Sequence, residues 1–146
     1  MEQSDPSDLT LWGWDSAWGA AGQAVLGAEL APGRVTVVYP DKCLLRMSDR
    51  ERTGEVTGRF RHQAARSADF PAVGDWVIMR PAHAEGARPQ IRAVMPRRSV
   101  FSRKSAGRET EEQVVAANID TVFLVSGLDQ DFNARRIERY LVMARQ

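Results

Sequence analysis

The spacing of apolar residues along the chain changes character twice. Near the N-terminus, four apolar residues recur at three- and four-residue intervals, as on the packing face of a helix: Trp14, Trp18, Ala21 and Val25. Asp15 is a residue type that caps helix N-termini. The pattern therefore predicts a helix over 16–30, although three glycines weaken it. Pro32 and Gly33 are expected to end this segment.

Strand-like runs then follow, rich in β-branched and aromatic residues and bounded by turn signals. They cover 34–39, 42–47, 51–60, 76–80 and 90–95. Gly54 and Gly58 interrupt the third run and are expected to mark a bulge or a barrel corner. Five short strands with one longer connector after the third predict a small closed barrel of the OB type. An SH3-like barrel is the open alternative, because strand number alone does not fix topology.

The pattern changes again after Pro96. Thr110 and Gln113 have capping-box spacing, which predicts one or two helical turns over 111–117. The continuous apolar run within 121–126 favours a strand buried on both faces of a parallel sheet. Asn133 is expected to cap a final helix over 134–146. A parallel neighbour strand comes only after such a crossover helix. The fold class is therefore predicted to be mainly β: a five-stranded OB-type barrel followed by a truncated βα unit of an α/β domain.

Charge is distributed unevenly, although the net charge is only +1. Residues 1–30 hold five acids and no Lys or Arg, so all 20 basic residues lie in 31–146. Between Arg88 and Arg108 there are seven basic residues and no Asp or Glu. Such a stretch is expected to attract a polyanion. The alternative is a solvated connector that happens to be basic.

Composition places the chain among globular proteins of a reducing compartment. The hydrophobic fraction is 43% and no apolar run approaches the roughly 20 residues needed to span a bilayer. Cys43 is the only cysteine, so it is expected to be a small buried hydrophobe rather than part of an intramolecular disulfide. The acidic N-terminus lacks the basic region of a secretory signal. A cytoplasmic location fits these features.

Several segments together resemble a known family. From Pro96 onward the chain reads PRRSVFSRKSAGRETEEQVVAANIDTVFLVSGLDQDFNARRIERYLVMA. Upstream it contains PGRV, VTGRFRH and PAVGDWV, beginning at residues 32, 56 and 71. This combination resembles the ribosome small-subunit-dependent GTPases, the RsgA or YjeQ family, over roughly residues 12–146.

The resemblance implies an OB barrel, a circularly permuted GTPase domain and a C-terminal zinc domain, with GTP, Mg²⁺ and Zn²⁺ as ligands of the intact protein. Mapped onto this chain, it implies an acidic, helical lead-in over 1–32, the OB barrel over 33–96, a basic linker over 97–118, and the first strand and helix of the GTPase domain over 119–146. The phosphate loop, the guanine motif and a zinc cluster are absent from the sequence. No catalytic, GTP-binding or metal-binding residue is therefore expected here, and this chain alone is expected to be inactive.

RNA contact is the chemistry that the remaining residues favour, because Arg and Lys bind phosphates and aromatic rings can stack on bases. The resemblance implies a role in 30S subunit maturation, with the 30S subunit and 16S rRNA as partners, no membrane or DNA, and a monomeric state. The expected RNA-binding residues are Arg59, Arg61, His62, Arg97, Arg98, Phe101, Arg103 and Lys104. The competing hypothesis is an SH3-like protein-interaction barrel whose basic segment only links domains.

Overall fold

The computed structural model describes residues 7–23, 27, 29–84, 86–104, 112–129 and 132–145. Its central unit is a closed barrel of five strands. These are β1 (Ala31–Val38), β2 (Cys43–Arg46), β3 (Glu51–Val56), β4 (Trp76–Arg80) and β5 (Gln90–Val94). The order around the barrel is β1-β2-β3-β5-β4, and β4 pairs with β1 to close it. The β3–β5 pair is parallel and the others are antiparallel.

This topology confirms the predicted mainly β class and its five-stranded barrel. Because β5 lies between β3 and β4, the barrel is not a simple meander, and it is consistent with an OB-type barrel. Its interior is filled by alternate residues of the strands, as the period-2 pattern predicts. They are Val35, Cys43, Leu45, Val77, Met79 and Ile91.

A second apolar cluster lies outside the barrel, under the N-terminal helices α1 (Ser7–Thr10) and α2 (Ser16–Gln23). The predicted packing of Trp14 and Trp18 is confirmed, since both are buried against Trp76. The Trp14 and Trp76 rings meet edge to face with centroids 4.7 Å apart. Ala21 is exposed, Val25 is outside the described residues, and the described helix ends at Gln23 rather than at residue 30.

Pro32 and Gly33 were expected to lie between the helical segment and a first strand that begins at residue 34. Both instead lie inside β1, which begins at Ala31, opposite Ile78 and Val77. At Pro32, β1 pairs only with β4, so a residue that lacks an N–H is tolerated at this unpaired edge. An added Cβ at Gly33 would lie 2.9 Å from Met79 Cε, so the end of the Met79 side chain would have to move to admit it. The two residues therefore belong to the strand and not to the connection before it.

The third predicted strand was too long. β3 ends at Val56, and residues 58–60 belong to a short helix, α3 (Gly58–Gln63). The missed signal is Thr57, whose Oγ1 accepts a hydrogen bond from Phe60 N at 3.2 Å and caps the helix. Gly54 marks no bulge, because the β2–β3 register is unbroken there. An added Cβ would instead collide with Leu45.

The predicted helix over 111–117 was also wrong. Those residues that the structure describes form β7 (Glu112–Ala117), which pairs in antiparallel fashion with β6 (Val100–Lys104). Thr110 and Gln113 matched the capping box by their spacing alone. Two adjacent β-branched residues, Val114 and Val115, favour a strand instead. The segment expected to be a basic linker thus contains a two-stranded hairpin.

At the C-terminal end, the predicted helix is confirmed as α4 (Ala134–Met143), and Asn133 Oδ1 accepts a hydrogen bond from Arg136 N at 3.1 Å. The strand predicted over 121–126 was wrong, since these residues form no regular structure. Within the described ranges no segment pairs with this run, and a strand needs a pairing neighbour. Its apolar side chains are largely solvent-exposed: Phe123 is 86% exposed and Val125 is 90% exposed.

Candidate nucleic-acid interface

Arg97, one of the expected RNA contacts, lies inside a hydrogen-bond network. Its Nε and Nη2 donate to the two carboxylate oxygens of Asp75 at 2.9 and 2.7 Å. Its Nη1 and Nη2 also donate to the carbonyl oxygens of Ala68 and Phe70 at 2.7 and 2.9 Å. Asp75 is fully buried and accepts a further bond from Ala72 N. Arg97 therefore ties the end of the barrel to the connector before β4 and has little surface for RNA.

Arg98 is bound by the N-terminal helices. Its two terminal nitrogens donate to the Asp15 carboxylate at 2.5 and 2.7 Å, and its guanidinium lies 4.2 Å from the Trp18 ring centroid. The Arg98 hydrogen bonds, followed by the Trp18 backbone N–H, hold the pKa of Asp15 well below its ordinary value. Arg98 thus stabilises the position of α2, and a phosphate would have to compete with Asp15 for it.

α3 carries an accessible basic group. Arg59, Arg61 and His62 are all exposed on this helix. Among the carboxylates that the structure describes, none forms an ion pair with either arginine. Phe60 is half-buried, and its ring packs edge to face on Phe70 with centroids 6.0 Å apart, which fixes the orientation of the helix. The helix therefore presents two arginines and one histidine to solvent.

The hairpin supplies the remaining expected residues. Arg103 is exposed on β6, and its Nε donates to Gln113 Oε1 across the hairpin at 3.1 Å. Lys104 ends β6, and its side chain is outside the described residues. Phe101 is half-buried and lines an apolar cleft of about 270 Å³ together with α4. Phe101 is therefore packed, whereas Arg103 is free to approach a polyanion.

The hydrogen bonds that join the barrel to the β6–β7 hairpin were not predicted from the sequence. Arg34 Nη2 donates to Asn118 O at 2.9 Å, and Asn118 Nδ2 donates to Gly74 O at 3.1 Å. Asn118 Oδ1 in turn accepts from Arg98 N at 2.8 Å. Asn118 adopts a φ of 54°, a left-handed conformation that Asn tolerates better than most residues. No sequence signal shows that Arg34 and Asn118 meet, because 83 residues separate them along the chain.

The sequence lacks two nucleotide-binding motifs, and the described residues contain no group of ligands for a structural metal. The sequence contains no G-x-x-x-x-G-K-[ST] and no Asn-Lys-x-Asp, so it has neither a phosphate-binding loop nor a guanine-recognition motif. In the described part of the chain, no three His, Cys, Asp or Glu side chains are grouped so that they could hold a metal ion. Cys43 is buried, and burial raises its thiol pKa to about 11, so it stays protonated. Among the described helices, none is long and apolar enough to cross a membrane.

The fold and its surface define a barrel protein with an attached hairpin and an exposed basic helix. The RsgA GTPase family model matches residues 94–146. Curated relatives extend the match to nearly the whole chain. The Opitutus terrae small ribosomal subunit biogenesis GTPase RsgA is 45% identical over 94% of this chain and 39% of its own length.

The protein of the same name from Xanthomonas campestris is 37% identical over 98% of this chain and 40% of its own length. A Lactiplantibacillus plantarum relative, RsgA 2, is 46% identical over 64% of this chain and 26% of its own length. These matches confirm the resemblance, and the chain belongs to the RsgA family. It spans about two fifths of the length of the first two relatives.

Proposed function

We propose that this chain is the RNA-binding portion of a ribosome biogenesis GTPase and that it binds the small ribosomal subunit through ribosomal RNA. The carrying observation is the exposed basic group on α3, formed by Arg59, Arg61 and His62 beside a barrel of a type that often binds nucleic acid. The names of the relatives, which refer to small-subunit biogenesis, support the choice of partner.

The electrostatic contact is assigned to exposed side chains only. Arg59 and Arg61 of α3 and Arg103 of β6 are accessible, and Lys104 follows Arg103 in the sequence. Arg97 and Arg98 act instead by holding the connector and α2 in place. Phosphate contacts of this kind position a protein on RNA without reading its sequence, so binding should depend on RNA structure more than on base identity.

The longer protein is proposed to be a cytoplasmic monomer that hydrolyses GTP during maturation of the 30S subunit. Residues 121–143 would then belong to its GTPase domain, with further segments covering Phe123 and Val125, whose exposure is otherwise unfavourable. Residues 1–146 alone should show no micromolar GTP binding by calorimetry in Mg²⁺. Micromolar affinity would contradict the inference from the missing phosphate loop.

RNA binding is tested by fluorescence anisotropy with a small-subunit ribosomal RNA fragment at 50, 100 and 200 mM salt. If about four phosphates are neutralised, the slope of log K against log salt is roughly −3, and affinity falls about 60-fold over this range. A protein-interaction barrel predicts no binding to this RNA. A salt-independent affinity would equally remove the electrostatic basis of the proposal.

A further inference from the structure

The acidic N-terminal segment, residues 1–30, contacts two arginines that lie outside it. Asp15 pairs with Arg98 of the basic stretch, and Glu29 Oε2 lies 3.2 Å from Arg80 Nη2 at the end of β4. The segment holds five carboxylates and no Lys or Arg. Two of its negative charges therefore lie on cationic groups of the barrel and of the stretch that follows it.

Two adjacent arginines each make a two-point contact with a carboxylate, but only one of the two pairs is open to solvent. The Arg97 and Asp75 side chains are 15% and 0% exposed. The Arg98 and Asp15 side chains are 46% and 49% exposed. Breaking a buried pair leaves an uncompensated charge, whereas an exposed pair contributes little net stability and is screened by dissolved ions. The Arg98–Asp15 pair can therefore open while the Arg97–Asp75 pair stays closed.

Burial, and not this exposed pair alone, holds α2 on the barrel. Trp14 and Trp18 pack in the apolar cluster around Trp76. Asp15 Oδ1 also accepts a hydrogen bond from Trp18 N at 2.9 Å, which caps α2. The cap joins Asp15 to its own helix, so it remains when the Arg98 side chain moves away. Opening the pair thus releases Arg98 without unfolding the segment.

The donors of Arg98 that bind Asp15 are those that a phosphate would use. Its two terminal nitrogens contact the two carboxylate oxygens of Asp15. The planar fork of a guanidinium binds carboxylates and phosphates in the same two-point geometry. Its position 4.2 Å from the Trp18 ring centroid also restricts its orientation. Asp15 and an RNA phosphate therefore compete for the same two N–H groups.

We propose that the acidic N-terminal segment is an autoinhibitory element, in which Asp15 occupies Arg98 until an RNA phosphate displaces it. The inference rests on the proposed function and adds regulation to it. Without RNA, Arg98 holds α2, and α3 provides the permanently accessible cations. Arg98 joins the contact only after its pair with Asp15 has opened. The segment therefore lowers the affinity for RNA, and most of all for ligands with too few phosphates to compete.

The test measures RNA affinity after removal of the competing charge. Asp15→Asn keeps a good helix cap and removes only the carboxylate charge. In anisotropy titrations of residues 1–146 with the small-subunit ribosomal RNA fragment, it is expected to bind about two- to fivefold more tightly than the parent, because no exposed ion pair has to open first. The slope of log K against log salt should become steeper, because Arg98 has no counter-charge before RNA binds. Asp15→Ser also caps a helix and should give the same gain.

Two controls separate competition for Arg98 from a general loss of negative charge. Asp49→Asn removes a carboxylate that is 48% exposed and pairs with Arg50, so it makes the same charge change at equal exposure. It should leave the RNA affinity close to that of the parent. Asp15→Asn combined with Arg98→Gln is expected to bind no more tightly than Arg98→Gln alone, because no arginine is left to release.

The outcomes distinguish this inference from the proposed function. Autoinhibition is rejected, while RNA binding through α3 stands, if Asp15→Asn gains no more affinity than Asp49→Asn. The same holds if its gain persists in the Arg98→Gln background. RNA binding by Asp15→Asn but not by the parent would support a strong form of the inhibition. Absence of RNA binding by both proteins would reject the two proposals together.

Discussion

The Arg97 guanidinium forms a two-point ion pair with the fully buried carboxylate of Asp75, with its Nη2 at 2.7 Å from Oδ2. Removal of one partner from a buried pair leaves an uncompensated charge. Arg97→Ala is therefore expected to lower the free energy of unfolding by about 3–5 kcal/mol in urea denaturation. Arg97→Lys should recover only part of it, because an ammonium group cannot make the two-point contact.

The same geometry revises an expectation from the sequence. Since Arg97 follows Pro96, outside the last predicted strand, charge reversal there would be expected to leave the barrel folded. The structure instead predicts that Arg97→Glu unfolds it, because two carboxylates would then face each other in a buried site. Unchanged urea midpoints for Arg97→Ala and Arg97→Glu would show that the pair does not exist in solution.

Asp15 and Arg98 give a prediction on pH. A carboxyl whose pKa is lower in the folded than in the unfolded protein stabilises the fold above its unfolded pKa of about 3.9. That contribution is lost as the pH falls from about 4 toward the more acidic pKa of the folded state. Arg98→Gln is expected to raise the pKa of Asp15 toward its ordinary value, as measured by NMR titration of the side-chain carboxyl. An Asp15 pKa that is already ordinary in the parent would contradict the contact.

Gly74 tests how the hairpin is attached. Its φ is +87°, and an added Cβ would overlap the carbonyl oxygen of Ala117. Gly74→Ala is therefore expected to cost about 2 kcal/mol or more, and the cost should fall on the joint between barrel and hairpin. Hydrogen exchange should become faster in β6 and β7 than in the barrel strands. As a control, Gly86→Ala also changes a glycine with positive φ, but in open space, and should leave hairpin exchange unchanged.

Protection from hydrogen exchange should also differ between regions of the unsubstituted protein. The barrel strands bury their own core, whereas Val122, Phe123 and Val125 are exposed in a segment without regular structure. Hydrogen exchange is expected to be slow in β1 and β4 and fast over 121–129. α4, with 10 residues, is too short to be stable without packing and should also exchange quickly. Equal protection in both regions would indicate that the C-terminal segment has found a partner in solution.

The parts that could be predicted from sequence are those fixed by local patterns. The runs at β4 and β5 are short, apolar and bounded by turn residues, so both strands were located closely. Asp15 and Asn133 are good helix caps and located the starts of α2 and α4, although α2 ends earlier than expected. The hairpin was missed because its strands gain stability from each other, across a gap in sequence, while Thr110 and Gln113 matched a helix cap by spacing alone. The Arg97–Asp75 pair illustrates the same limit for the site, because a basic run does not reveal which arginine meets a buried carboxylate.

The most direct test of the central claim is the salt dependence of ribosomal RNA binding after charge reversal on α3. Arg59→Glu with Arg61→Glu is compared with Arg135→Glu and Arg139→Glu, which make the same charge change on exposed positions of α4. The α3 variant is expected to bind at least about tenfold more weakly at 100 mM salt, with a shallower slope of log K against log salt. The α4 variant should stay close to the parent. Equal loss in both variants, or none in either, would contradict the assignment of RNA binding to α3.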